Sequence, residues 1–293
     1  MGRAMATIVV TRRPTDRSMQ EPKLIKDIVV HLTGSQEDEI RLAYAEAISE
    51  RFEAHLTGLY VHMLPEVVGA DPAGMVGMDV WFEESNAQAK ETFNRLEGRF
   101  ERLRMPHDVR QLDVFSGNAG QALTAEARTA DLFVATRPYG DPADEIHMEV
   151  AVLFGSGRAC LFVPPKAVAH SGFGIVAIAW NGSREAARAV AEAMPFLRRA
   201  SQVIVIAVRN GEGAAFNGDI ARHLSRHGVS AVIGTVDAGM KGPGDALLDE
   251  VRRLGADMLV MGGYGHSRFR EWVLGGATRH VLAHADIPVF MAR

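Results

Sequence analysis

At 293 residues the chain is long enough for two domains of ordinary size, and 47% hydrophobic with 23% charged residues excludes a disordered or fibrous chain. A formal charge of −4, with Lys and Arg scattered rather than striped, argues against a nucleic-acid binder. No apolar run approaches the ~20 residues of a membrane-spanning helix, and the short run from Ala6 to Val10 is too brief for a signal-peptide core, so a cytoplasmic, membrane-free protein is expected.

Taken in chain order, residues 1–24 read as a loose tail. A strand-like run, Ile28 to Leu32, ends in Thr33-Gly34-Ser35, and helix-period apolar residues follow at Ile40, Ala43, Tyr44, Ala47 and Ile48. After the run Leu59-Tyr60-Val61 comes an apolar stretch over residues 64–85 that includes Trp81 and Phe82. It reads as a lid or contact surface, or more simply as a helix extension packed on its own domain. Strand-like runs follow at His107-Asp108-Val109, at Ala130 to Val134 and at Leu161-Phe162-Val163. Cys160, the one cysteine, sits just before the last of these; it has no disulfide partner within the chain and reads as a buried structural thiol. Paired prolines, Pro164 and Pro165, stop that strand, and residues 166–172 read as a linker.

The remainder repeats the first half. Val176 to Ser183 matches Ile28 to Ser35 at an offset of 148, and Ile206-Ala207-Val208 matches Leu59-Tyr60-Val61 at 147. His227-Gly228-Val229 matches His107-Asp108-Val109 at 120, Ala256 to Val260 matches Ala130 to Val134 at 126, and Val289-Phe290-Met291 matches Leu161-Phe162-Val163 at 128. The fall from 147 to 120 places 27 extra residues in the first half, between Val61 and Val109, a span that covers the apolar stretch. Alternating strands and helices in each half predict an α/β architecture: two doubly wound parallel sheets covered by helices on both faces, in domains 25–165 and 173–293.

Chemistry concentrates in the second half, between its fourth strand and its last helix. The glycines Gly262, Gly265 and Gly275 permit tight turns and close ligand approach, and a helix starting near Gly276 points free N–H groups at whatever lies there, a place suited to phosphate oxygens. The first half has Thr136 and Tyr139 for the first two glycines and His147 and Met148 for Gly275 and Gly276. Its segment is crowded by Asp141, Asp144, Glu145 and Glu149, which would repel phosphate, while Gly155-Ser156-Gly157 reads as a helix stop. The eleven histidines show no metal-ligand spacing, no nucleophile–base pair is apparent, and no catalytic residue is assigned.

The pattern Gly262-x2-Gly265-x9-Gly275-Gly276 resembles that of the universal stress protein family, which has Ser or Thr where this chain has Gly276. The resemblance covers both halves and implies a tandem of two such domains. Each would be a five-stranded sheet of order 3-2-1-4-5 with an adenine nucleotide alpha hydrolase-like fold, the two arranged as an internal pseudo-dimer. It further implies an adenine nucleotide (ATP, ADP or AMP), with or without magnesium, bound in the second half as a regulatory or sensing ligand. The contacts would be Ala179, Asn181 and Val208 at the first two strand ends, then Met261 and Gly262. The phosphates would meet Gly265, Gly275, Gly276 and Ala277, and, read from the residues themselves, His266, Ser267, Arg268 and Thr278 in or beside the loop are further candidate nucleotide contacts. Many family members carry Asp where this chain has Asn181, whose amide can still hydrogen-bond a ribose or base edge but brings no charge, while the hydroxyl missing at Gly276 bears most on triphosphate binding. No enzymatic turnover beyond weak nucleotide hydrolysis is implied; a stress scaffold acting through protein contacts is the alternative, and a homodimer is expected.

Overall fold

The computed structural model describes residues 25–66, 78–139, 148–166, 173–209, 218–263 and 276–293. The tail over 1–24 and nearly all of the linker lie outside them. In the first half the order is β1 (Asp27–Leu32), α1 (Asp38–Phe52), β2 (His55–Met63), α2 (Met78–Phe100), β3 (His107–Val114), α3 (Ser116–Ala127), β4 (Leu132–Thr136), α4 (Met148–Gly155) and β5 (Ala159–Val163). The second half gives β6 (Ile175–Ala179), α5 (Arg184–Leu197), β7 (Gln202–Arg209), α6 (Asp219–Arg226), β8 (Ala231–Asp237), α7 (Pro243–Leu254), β9 (Met258–Gly262), α8 (Gly276–His284) and β10 (Val289–Ala292).

Ten strands form one sheet in the order β3-β2-β1-β4-β5-β10-β9-β6-β7-β8. Each half thus has the expected 3-2-1-4-5 order with all its strands parallel, and the two halves join edge to edge. The join is antiparallel, with Phe290 opposite Leu161, Met291 opposite Cys160 and Val289 opposite Phe162. The two sheets expected separately are therefore one continuous sheet, and the β5 and β10 edges that isolated halves would expose are consumed inside the chain, leaving β3 and β8 as its outer strands. Alternation along the strands sends Val30, Leu32, Val176 and Ile178 to one face and Val29, Phe133, Cys160, Ala177 and Leu259 to the other.

Helices α1 and α5 meet over the join. Phe52 packs edge-on against Phe196 at 5.1 Å between ring centres, and Phe196 against Phe290 at 5.6 Å. Burial pushes the Tyr44 hydroxyl up to about 12, with the Asp257 carboxylate adding to the shift. One hydrophobic cluster therefore draws on both halves. Cys160 is fully buried, and burial raises its thiol well above the usual range, with Glu149 adding to the effect; this is a structural thiol.

Strand register corrects two of the sequence offsets. Leu56 pairs with His107 and Val203 with Ala231; with β2 and β7 lying 147 residues apart, β3 and β8 are offset by 124 rather than 120, and the insert is 23 residues rather than 27. The histidine coincidence misled, because His107 opens a strand whereas His227 caps α6. Likewise Phe133 pairs with Cys160 and Leu259 with Val289, an offset of 129 rather than 128; a slip of one would turn every side chain of the strand to the wrong face. Much of the insert is helix: α2 has 23 residues where α6 has 8. Its first turns leave Val80 and Trp81 exposed, at 56% and 62%. Residues 67–77 lie outside the described residues. As read from the sequence, α4 ends at Gly155, and Gly157 adopts φ +70° just before β5.

Candidate functional site

β6 lies between β7 and β9, and the chain leaves it toward β7 before returning to its other side. Doubly wound sheets open a crevice at the carboxyl ends of such a strand pair. Ala179 pairs with Ile206 on one side and with Met261 on the other. Ala179, Val208 and Met261 all pack on the sheet face that α7 and α8 cover, so three of the sequence-predicted residues share one face at one end of the sheet. Ala179 and Val208 are half-buried and Met261 is buried.

The turn after β6 is built by its own side chains. Gly182 takes φ +72°, a conformation that glycine adopts freely. Ser183 N–H donates to Asn181 Oδ1 at 3.1 Å, and Ala186 N–H donates to Ser183 Oγ at 3.1 Å, capping α5. The carbonyl of Asn181 is thus committed to the turn, and its NH2 group is the part left to meet a ligand. Gly262 serves another purpose, since a Cβ there would lie 2.5 Å from Ala186 N and 2.5 Å from Glu185 C, both backbone atoms in the first turn of α5. Close strand–helix packing, which sequence alone cannot tell from ligand approach, explains this glycine.

Helix α8 is described from Gly276 onward, and the residues before it, 264–275, lie outside the described residues. Gly276 is exposed, Ala277 half-buried and Thr278 buried, and a Cβ at Gly276 would meet no described atom within 4 Å. No described atom therefore requires a glycine at this position, and backbone N–H groups in the first turn of a helix suit an anion. Gly265, His266, Ser267, Arg268 and Gly275 lie outside the described residues. Among the described residues no group of three or more His, Cys, Asp or Glu side chains could hold a metal ion.

The first half closes the equivalent place with charge. His31, on β1, is fully buried, and its Nδ1 lies 3.2 Å from Oε1 of Glu149 in the first turn of α4. The separation is that of an ion pair, yet the alignment is too poor for a hydrogen bond, so both ring nitrogens of His31 and Oε2 of Glu149 remain without hydrogen-bond partners. We take the pair as electrostatic, since separation governs attraction between charges more than angle does. Burial opposes ionisation of Glu149, but His31, a backbone N–H and the charge of Arg41 outweigh it and hold the carboxyl below its usual range. Next to it Asp38 pairs closely with Arg41 and accepts from Thr33 N at 3.0 Å and Gly34 N at 2.7 Å. The first turn of α4 thus presents a buried carboxylate, whereas the first described turn of α8, Gly276-Ala277-Thr278, carries no acidic residue.

Sequence reasoning missed Arg137, which no motif marks. Its Nη1 donates to Leu282 O at 2.7 Å and to Ala283 O, both in the last turn of α8. The Arg279 guanidinium lies 5.1 Å from the ring centre of Tyr139. Residues at the degenerate loop of the first half thus hold the helix whose other end faces the crevice of the second.

Residues 212–293 match the model of the universal stress protein family. Over the whole chain the fold is similar to that of a universal stress protein from Archaeoglobus fulgidus DSM 4304, at a TM-score of 0.71 and 15% identity, covering 92% of this chain and 97% of that one. A functionally unknown protein from Pseudomonas aeruginosa PAO1 is similar at a TM-score of 0.56 and 15% identity, covering 92% and 93%. No curated protein matches the sequence.

Proposed function

For a chain that is a tandem of universal stress protein folds, with the family's sequence matched over residues 212–293, we propose that the C-terminal half binds one adenine nucleotide as a regulatory or sensing ligand and that the N-terminal half does not. The adenosine would lie on Ala179, Val208 and Met261, and the phosphates would meet the first N–H groups of α8. The observation that carries this reading is Gly276, in the first described turn of α8, where no described neighbour and no positive φ asks for a glycine. Nucleotide turnover is not part of the proposal: binding would shift the loop between arrangements and so alter association with partners. Because β5 and β10 already pair within the chain, a homodimer would have to use another surface.

A second reading, a scaffold without nucleotide, is favoured by the exposure of Trp81 and by the commitment of the Asn181 carbonyl to its own turn. Gly276→Asp separates the two. The new carboxylate meets no described atom and suits the first turn of a helix, so the variant should melt at the wild-type temperature or slightly higher. The same charge repels phosphate. In thermal melts ATP should raise the wild-type transition, by about 2.7 kcal/mol of stability at a hundredfold excess over Kd, and should leave the variant unmoved. No shift in the wild type with ATP, ADP or AMP, together with no nucleotide released from freshly purified protein, establishes the scaffold reading instead.

A further inference from the structure

The extension of α2 does more than lengthen a helix. β2 and β3 are in register so that His62 stands directly opposite Asp113, and the α2 extension passes over the same end of the sheet. His62 Nδ1 lies 2.8 Å from Asp113 Oδ1, and His62 Nε2 lies 2.8 Å from Ser85 Oγ. His62 is buried, Ser85 half-buried and Asp113 exposed. Gln111 Nε2 donates to the same carboxylate oxygen at 2.7 Å and fixes it against the ring. Burial opposes the Asp113 charge, but the hydrogen bonds from Gln111 and His62 hold this carboxyl below its usual range, so it is ionised near neutrality and can only accept. Nδ1 of His62 must then carry the proton. In the neutral ring Nε2 is left as an acceptor, so the Ser85 hydroxyl donates to it.

A serine hydroxyl donating to an imidazole whose far nitrogen is held by a carboxylate is the arrangement that activates serine as a nucleophile, and it is recognised by geometry rather than by sequence position. The residues lie 23 and 51 positions from His62, which is why no spacing in the sequence reveals them. At the matching register of the second half stand Arg209 and Asp237, an exposed ion pair at 2.9 Å. Trp81, 62% exposed, lies one helical turn before Ser85 on the same side of α2 and offers an apolar surface beside the hydroxyl.

We infer that Ser85, His62 and Asp113 form an acyl-transfer site that hydrolyses small esters with an apolar acyl group, separate from the nucleotide crevice and independent of it. Ser85 Oγ attacks the ester carbonyl carbon while its proton passes to His62 Nε2. The tetrahedral intermediate collapses with cleavage of the bond to the leaving alkoxide, which takes that proton. Water then attacks the acyl-serine, giving a proton to His62 Nε2; the acid departs and Ser85 recovers its hydrogen. Ser85 and His62 are the catalytic residues, Asp113 is a positioning residue, and Trp81 contacts the acyl chain.

The intact chain treated with an alkyl fluorophosphonate, and mapped by peptide mass spectrometry, should carry its dominant adduct on Ser85. The adduct should vanish in Ser85→Ala. In Asp113→Asn, at an exposed position where the fold should be kept with only a small loss of melting temperature, it should form at least about tenfold more slowly, because the amide no longer enforces the required tautomer. The wild type should hydrolyse p-nitrophenyl butyrate faster than the acetate, and Trp81→Ala should erase that preference. Labelling spread evenly over several serines, or a Ser85 rate unchanged in Asp113→Asn, overturns the site. A butyrate-to-acetate ratio that survives Trp81→Ala overturns the assignment of the substrate class.

Discussion

A methyl group added at Gly262 would press on two backbone atoms of α5 that have no rotamer with which to retreat, whereas one added at Gly276 would meet no described atom within 4 Å. Gly262→Ala should therefore cost about 1–3 kcal/mol, the range for overpacking a filled interior. Gly276→Ala should stay within about 0.5 kcal/mol, as surface changes usually do. Urea unfolding of the two variants checks this, and equal losses would show that the glycines share one role. The glycine pattern was fully visible in the sequence, but its division between packing and ligand approach was not, because that depends on how near α5 comes to the end of β9. Asn181 was legible as a residue at a strand end, while its use in capping the next turn emerged only from the geometry.

Between the halves the last helices differ at their first turns. Among the acidic residues that the sequence sets against phosphate in the first half, Glu149 is the one described, and it is folded inward onto His31. A carboxyl held below its ordinary value of 4.5 in the folded chain contributes stability that is present above that pH and is lost as pH falls through the lower folded value. The unfolding free energy of wild type should thus exceed that of Glu149→Gln at neutral pH, with the gap narrowing as pH falls below about 4.5. A gap independent of pH would mean that the lost contact is one of shape rather than charge. Helix α2 shows the limits of reading at this scale. The apolar stretch could be located, and the simpler of its two readings, a helix extension, describes residues 78–85; that the extension would carry Ser85 to His62 depends on the register of β2 with β3, which no local pattern encodes.

For the molecule as a whole, duplication was legible because five strand-like runs recur in order, and alternation of strand and helix made parallel sheets the economical outcome. The pairing of Leu161-Phe162-Val163 with Val289-Phe290-Met291 was accessible through the family resemblance, but the fusion into one ten-stranded sheet, with aromatic rings from both halves in one cluster, required the structure. Fusion gives the degenerate half a supporting role. Arg137 and Tyr139, standing where the second half has Gly263 and Gly265, hold α8 from across the join, so the half with a buried carboxylate in the first turn of α4 supports the helix proposed to meet the phosphates.

That asymmetry is the centre of the account, and stoichiometry tests it most directly. Isothermal titration of the nucleotide-free full-length chain with ATP should give one site per chain, abolished by Gly276→Asp. Two equivalent sites per chain, or one site that survives Gly276→Asp, would contradict it.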